Sequence, residues 1–423
     1  MTKTKSKKEF TRNVLTLLTG TTIAQAIPIA VSPILTRIYT PEDFGVLALF
    51  LSITFIISSI VSGAYEYAIM LPKNEKDAIN IFVLGLIIVI ITTCFFTVVI
   101  LLFKDNIIQI IGNEELSLWL YFVPISVFFV GIFNLLNYYN NRLKNYRAIA
   151  ESTIIKSFVM VFIQLLVGIT KSGAVGLISG HLISQVVSNI KLLKGIFKDK
   201  MLICQIKRLK IIALAKRYKN FPKFSMMALF ANSLSNNLVQ VFITSLYNTA
   251  TLGFYFLVQR VLGIPSILIG NAIGQVFLQE AIKEKQQTSK TINAFNMAFV
   301  KLAIIACLTF GILFFYVDEL FAIVFGKDWE IAGKYAQILI PLFFFKFISS
   351  SLSVVLIVFE KQKIELLINV ILIFISVLAI FISYSIENFL YILSYSLSIC
   401  YIVFLIYYYN LALKGGKSVK KSY

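Results

Sequence analysis

Long apolar runs separated by short polar stretches dominate the chain. A hydrocarbon core of about 30 Å takes roughly 20 apolar residues as helix. Runs of that order recur at 14–36, 46–71, 79–103, 116–139, 151–170, 173–190, 224–247, 251–277, 292–316, 331–359, 364–384 and 389–411. The pattern predicts an all-α polytopic membrane protein with about twelve transmembrane helices. The fifth and sixth runs are short and split only by Lys171-Ser172-Gly173. The run 331–359 exceeds what a crossing needs, so tilt or an interfacial stretch is expected there. The first run contains Ala24-Gln25-Ala26, which resembles a signal-peptide cleavage site. It continues through Pro28 and Pro33 to Leu35, too far for a signal core, and is read as a retained helix.

Composition sharpens this picture. Apolar types make up 58% of the 423 residues and charged types 14%, with a mean hydropathy of +0.86. A soluble domain carries roughly a quarter charged residues, so there is too little polar surface here to cover a globule in water. Lys and Arg number 39 against 20 Asp and Glu, a net charge of +19. Such an excess raises the question of nucleic acid, but basic residues concentrate in the cytoplasmic loops of membrane proteins, and no nucleic-acid partner is needed to explain it. Placing the tail with Lys3, Lys5, Lys7, Lys8 and Arg12 in the cytoplasm, and alternating sides, puts most of the bases on that side. Both termini are then cytoplasmic. Cys94, Cys204, Cys307 and Cys400 are far apart, with no CxxC or Cys/His spacing, so no metal site or disulfide framework is suggested. A single histidine leaves little scope for His-based catalysis.

The one sizeable polar segment divides the chain. Residues 1–190 form an N-lobe of six helices, 191–223 a basic cytoplasmic linker, 224–411 a C-lobe of six helices, and 412–423 a basic cytoplasmic tail. In the linker, bases alternate with Leu and Ile from Leu202 to Leu214, as in an amphipathic helix on an anionic leaflet. Anionic membrane lipids are therefore an expected partner. Shifting the chain by 208 residues pairs Thr36-Arg37-Ile38-Tyr39 with Thr244-Ser245-Leu246-Tyr247, Gly45 with Gly253, Leu49 with Leu257 and Ser58 with Ser266. Six spans per half, starting on the same side, make a parallel repeat; transporters built this way hold substrate between the halves.

Ionisable residues inside spans each cost on the order of 2.5–3.5 kcal/mol and normally face a cavity or a partner. Glu66, Lys156, Arg260, Lys301 and Lys346 are of this kind, while Arg37 closes the first span at its outer edge. Arg260 falls roughly 13 Å below the outer end of its span, Lys301 a similar distance above its inner end, and Lys346 near the centre of its own. Three cations at one depth, in a half without a clear intramembrane acid, point to a water-filled cavity that receives an anion. Arg260 suits bidentate contact with phosphate, and Lys301 and Lys346 serve as point charges. Arg37 is either part of that cavity or an interfacial anchor. Glu66 and Lys156, near the cytoplasmic ends of their spans, could pair or snorkel, and Glu66 is the candidate for ion coupling. His181 reads as a packing residue. Pro28 and Pro33 together suggest a hinge in the first helix; Pro124, Pro265 and Pro341 mark further kinks.

Two stretches carry a resemblance. Leu35-Thr36-Arg37-Ile38-Tyr39-Thr40-Pro41-Glu42-Asp43-Phe44-Gly45 is similar to the first external turn of bacterial polysaccharide repeat-unit flippases. Tyr218-Lys219-Asn220-Phe221-Pro222-Lys223-Phe224, Leu252-Gly253-Phe254-Tyr255, Gln259-Arg260-Val261-Leu262 and Ile269 through Phe277 resemble the opening of their second half. These are the O-antigen and capsule flippases of the multidrug/oligosaccharidyl-lipid/polysaccharide exporter superfamily, with a MATE-like fold. The resemblance implies a transporter rather than an enzyme, in the bacterial inner (cytoplasmic) membrane. Its cargo would be an oligosaccharide on undecaprenyl pyrophosphate, moved from inner to outer leaflet through a cationic cavity. It further implies no cofactor beyond a proton or sodium gradient, with a polysaccharide polymerase and a chain-length regulator as partners. Three rivals differ in what they need. A drug/cation antiporter calls for intramembrane carboxylates, and only Glu66 is offered. A polytopic glycan polymerase or transferase calls for a large outer loop or clustered acids, and Glu42-Asp43 and Asp318-Glu319 are isolated. A peptidoglycan-precursor flippase carries two further spans.

Overall fold

In hydrocarbon each unpartnered peptide group costs several kcal/mol, so a chain this apolar must close its backbone hydrogen bonds within helices or a barrel. The computed structural model describes residues 2–196 and 205–415, and every regular element among them is helical. In chain order these are α1 (Thr2–Ile38), α2 (Pro41–Ser58), α3 (Tyr65–Ala68), α4 (Glu75–Ile111), α5 (Leu116–Leu120), α6 (Val123–Arg142), α7 (Tyr146–Gly168), α8 (Val175–Ile196) and α9 (Arg208–Arg217). They continue as α10 (Met226–Leu246), α11 (Thr249–Leu262), α12 (Asn271–Thr288), α13 (Ile292–Phe325), α14 (Glu330–Leu352), α15 (Val355–Val358), α16 (Gln362–Ile382) and α17 (Ile386–Lys414).

Among the described residues, eleven helices are long and apolar enough to cross a membrane. The sixth predicted run supplies α8, which has the length but not the apolarity. His181, Ser184, Gln185, Ser188 and Asn189 recur along it and are all buried. The chain divides into two compact units, Met1–Gly253 and Phe254–Tyr423. The helix α10, beyond the basic linker, belongs to the first unit and packs on α2.

In the first unit, α7 and α8 run antiparallel at close range. Ser152 Oγ donates to the Ser188 carbonyl at 3.0 Å, and Gln164 Nε2 to the Leu177 carbonyl at 3.1 Å. The helix α1 lies along α7. Residues 197–204, which include part of the stretch expected to be amphipathic, lie outside the described residues. The rest of that stretch forms α9, held to the start of α4 by Lys210–Asp77 at 3.1 Å and by Lys207 N–H donating to Asn80 Oδ1 at 2.9 Å.

The repeat reappears as a reciprocal contact. A Cβ on Gly45 would collide with the carbonyl of Thr249, and one on Gly253 with the carbonyl of Pro41. A shift of 208 converts each of these contacts into the other, so the starts of α2 and α11 touch as equivalents through two bare backbones.

In the second unit, α13 and α14 are antiparallel, with Phe310 of α13 against Phe344 and Phe347 of α14 at 6.4 and 6.2 Å between ring centroids. Gly270, which ends the π-helical turn 266–270, and Gly274 of α12 seat against Ser351 of α14. Thr291 N–H, at the start of α13, donates to the Ala412 carbonyl near the end of α17 at 3.1 Å.

Two spans are broken. The second leaves α2 at Ser58, passes a turn with Gly63 at φ 62° and Ala64 at φ 60°, and resumes as α3. The eighth leaves α11 at Leu262 and reaches α12 through Pro265 and a π-helical turn over Ser266–Gly270. Pro265 explains the second break, because proline removes an N–H and crowds the preceding turn. The first has no proline.

Gly45→Ala and Gly253→Ala are each expected to destabilise the protein by about 2 kcal/mol, as overpacking does. The check is thermal unfolding in detergent; unchanged midpoints would mean that these helix starts separate freely.

Candidate functional site

The intramembrane cations Arg260, Lys301 and Lys346 all belong to the second unit. Arg260 sits in the last turn of α11, two residues before its end, and is half-buried. The preceding Gln259 donates its side-chain amide to Tyr255 OH at 2.8 Å, which fixes one polar edge of this helix. Lys346 lies on α14 within a run of four phenylalanines, half-buried, its Nζ 5.5 Å from the centroid of the Phe343 ring. That distance is within cation–π range. Among the described residues no ion pair involves Lys346.

The expectation of one shared depth is corrected by the packing. Lys346 is level with Phe310, because Phe344 and Phe347 pack on it. Lys301 is nine residues earlier on α13, on the order of 13 Å along the axis toward the Ile292 end. Gly270 is level with Ser351 and Phe347, so Arg260, ten residues earlier, stands on the order of 10 Å from Lys346 in the other direction. The three form a staircase, with Lys301 exposed at one end, Lys346 in the middle and Arg260 at the other end. The sequence estimate placed Lys301 near the centre of the run 292–316, whereas the helix continues to Phe325 and its middle lies farther from Lys301.

The remaining predicted residues belong to the first unit. Arg37 is exposed on the last turn of α1. The turn beside it explains the first motif in physical terms. Thr40 caps α2, with Asp43 N–H donating to Thr40 Oγ1 at 3.3 Å and Thr40 N–H to Asp43 Oδ2 at 3.0 Å. Pro41 takes the first helical position. Tyr39 OH donates to the Gln164 carbonyl at 2.6 Å, between Gly168 and Gly176. Burial, and secondarily the Asp43 carboxylate, pushes the Tyr39 phenol up to about 12, so it remains a neutral donor at physiological pH. Pro28 and Pro33 sit inside an unbroken α1, where Ser32 Oγ donates to the Pro28 carbonyl at 2.8 Å and Thr36 Oγ1 to that of Pro33 at 3.2 Å. Glu66, in α3, is buried and accepts a close hydrogen bond from Ser62 Oγ. Lys156 places its ammonium 4.6 Å from the Phe133 ring centroid, and His181 meets Phe50 edge-on at 6.3 Å.

Three features escaped the sequence reading. One is the break at 59–64, hidden because Ser, Ile, Val, Gly and Ala continue an apolar run. Another is the buried polar column on α8. Its signal was present in the spacing of His181, Gln185 and Asn189, one helical face four residues apart. The third is an apolar groove of about 470 Å³ between α13, α14 and α17, lined by Phe295, Phe299, Phe344, Phe345, Ile402 and Ile406 among others, with Asn296 and Tyr409 also on its wall. Among the described residues no group of three or more His, Cys, Asp or Glu could hold a metal ion.

Solved structures share this architecture. Lipid II flippase MurJ in an inward closed conformation superposes with a TM-score of 0.69 at 14% identity, over 97% of this chain and 87% of that one. The MATE multidrug transporter DinF-BH gives 0.66 at 13% identity, over 93% and 95%. An inward-facing multidrug resistance MATE family transporter of the MOP superfamily gives 0.64 at 13%, over 94% and 93%. No curated protein sequence matches the chain. The helices thus define a multi-pass membrane protein with the fold of MOP-superfamily transporters. By sequence, residues 34–333 match the family described as "Polysaccharide biosynthesis protein", and the chain belongs to that family.

Thr40→Ala is expected to cost about 1 kcal/mol, the usual worth of a side-chain N-cap. Tyr39→Phe is expected to cost about 1 kcal/mol through the lost hydrogen bond. Thermal unfolding across pH would show the Tyr39 contribution constant below pH 10 and lost as the pH rises toward 12, because the folded phenol titrates above its ordinary value.

Proposed function

We propose that the protein is a flippase. It moves an oligosaccharide repeat unit carried on undecaprenyl pyrophosphate from the inner to the outer leaflet of a bacterial cytoplasmic membrane, for an O-antigen or capsule pathway. The observation that carries this reading is Lys346, a cation at mid-helix depth that no described carboxylate neutralises. Membership of a polysaccharide biosynthesis family supports it, and so does the fold. A permanent charge at such a depth is costly, and an anionic cargo offsets the cost during each passage.

The staircase supplies the mechanism. A diphosphate drawn in at the Lys301 end meets an exposed lysine first, then Lys346, then the guanidinium of Arg260, which can hold two phosphate oxygens at once. A relay of separated cations binds the anion at each stage more weakly than one cluster would. It therefore lets the anion leave. The lipid tail needs a hydrocarbon path beside that route, and the groove between α13, α14 and α17 offers aromatic and aliphatic walls for it. Alternating access moves the sugar, with a proton or sodium gradient as the driving force. A polymerase and a chain-length regulator would take the product.

In a strain lacking the gene, wild type is expected to restore surface polysaccharide, and Lys346→Gln to lower it at least tenfold while repeat units accumulate on the inner leaflet. Arg260→Gln should act in the same direction, and membrane levels of both variants should match wild type. Normal surface glycan in the null strain would overturn the reading and favour a drug antiporter of the same fold.

A further inference from the structure

The helix α10 carries no ionisable residue between Met226 and Leu246, and its polar side chains are all carboxamides and hydroxyls. One row of them is committed to packing. Ser233 Oγ donates to the Phe55 carbonyl of α2 at 3.0 Å, and Asn237 Nδ2 to the Ser233 carbonyl at 2.8 Å. Gln240 Oε1 accepts from Ser52 Oγ of α2 at 2.7 Å. Ser233, Asn237, Gln240 and Thr244 follow one helical stripe, and its last two members are buried.

A second row is open. From Ala228 to Ser245 the exposed positions of α10 are Asn232 and Asn236, one turn apart, with half-buried Ser235 on the same face. Asn236 is the eleventh of the helix's 21 residues, about 15 Å of helix from either end. Its Nδ2 donates to the Asn232 carbonyl at 2.8 Å and to Asn232 Oδ1 at 3.3 Å, so the two carboxamides stand as one neutral ladder. A helix that turns a strip to hydrocarbon shows apolar side chains there, as α4 does at Ile87, Ile90, Ile91, Phe95 and Val98. The helix α10 does the reverse, for Leu234, Leu238 and Val241 are partly covered while the carboxamides are open. A carboxamide facing hydrocarbon forfeits its hydrogen bonds, so this strip fronts water in the middle of the span.

The chemistry of the strip names its ligand. Each carboxamide offers two N–H donors and a carbonyl acceptor, and neither carries charge. At this spacing the two Cβ atoms stand about 5–6 Å apart, a separation comparable to the width of one pyranose ring. Neighbouring hydroxyls on such a ring, each both donor and acceptor, match the ladder. A sugar also presents apolar C–H edges. Phe55, whose carbonyl holds Ser233, is 41% exposed at this level and offers them an aromatic surface. From Phe44 to the end of α2, as along all of α10, no ionisable residue occurs. The strip therefore lacks the charged partner that a uronate or phosphate group calls for.

We infer that the Asn232–Asn236 face of α10 is a contact site for one neutral sugar ring of the transported glycan, completed by Ser235 and Phe55. The inference rests on the export reading for the source of the sugar, and on the strip itself for the sugar's chemistry. It assigns glycan selectivity to uncharged residues of the first unit and leaves the anion to the cations of the second. A repeat unit with a neutral sugar at this position fits the ladder. An acidic sugar would set its carboxylate against carboxamides with no counter-charge.

The test uses the purified full-length protein, in a detergent without a sugar headgroup, alongside the complemented null strain. Saturation-transfer NMR is recorded with the methyl glycosides of glucose, galactose, mannose, N-acetylglucosamine and glucuronic acid. At least one neutral glycoside is expected to bind, and the glucuronide is expected to give no signal. Asn232→Ala and Asn236→Ala should each weaken the neutral signal about fivefold, the worth of one lost hydrogen bond, with thermal midpoints equal to wild type. Should either variant fail to fold, Asn236→Ser decides, with the same loss expected. In the strain both alanine variants should lower surface polysaccharide. No neutral signal, an undiminished signal in the variants, or an equal signal from the glucuronide overturns the proposal. The expected NMR result with normal surface glycan in the null strain would sink the export reading and leave the sugar site. Glycan lost in the null strain but fully restored by both variants, with unchanged NMR, would sink the site and leave the export reading.

Discussion

A peptide group in hydrocarbon has no water to turn to, and most of this molecule follows from that constraint. Long helices such as α4, α13 and α17 close their own hydrogen bonds, and their apolar side chains face lipid without penalty. The same constraint makes the exceptions informative. Where the chain leaves the helix inside a span, at 59–64 and around Pro265, the freed groups must be enclosed. Each break stands within two residues of an ionisable side chain, Glu66 after the first and Arg260 before the second. The two breaks lie in repeat-related spans and carry opposite charges. The two breaks differ in kind, the first a left-handed turn at Gly63 and Ala64 and the second a π-helical turn after Pro265.

Both units carry intramembrane charge, and the first includes the cation Lys156 beside the Phe133 ring. The first holds the buried acid and the polar face of α8, where His181 Nε2, Gln185 Oε1 and Asn189 Oδ1 lack partners among the described residues. The second holds the staircase of cations beside an aromatic groove.

Much of this was legible in the residues. Apolar runs located the spans because burial in lipid demands them, and Pro265 marked one break because its ring cannot continue a helix. The offset of 208 residues paired Gly45 with Gly253, and the two rest reciprocally on the carbonyls of Thr249 and Pro41. What stayed hidden were matters of depth and interruption. The run at 292–316 became a helix ending at Phe325, so depths counted from run ends placed Lys301 and Lys346 together when they stand turns apart. The turn at 59–64 is built from small and β-branched residues that periodicity cannot distinguish from helix. The motif Tyr39 to Gly45 was recognisable as a family mark, yet its atoms cap, clamp and pack. It specifies a fold and leaves the cargo to other positions.

The reciprocal contact of the two glycines also bears on how the chain is made. Gly45 emerges from the ribosome some two hundred residues before the Thr249 carbonyl it rests on, and α2 must wait as long for α10. The first unit is thus incomplete when its six leading helices have entered the membrane. Biogenesis has to hold them in an unfinished arrangement until the basic linker has passed and the following helix arrives. A chain interrupted in that linker would not release a free-standing half; it would leave an open seam along α2 for membrane quality control to find.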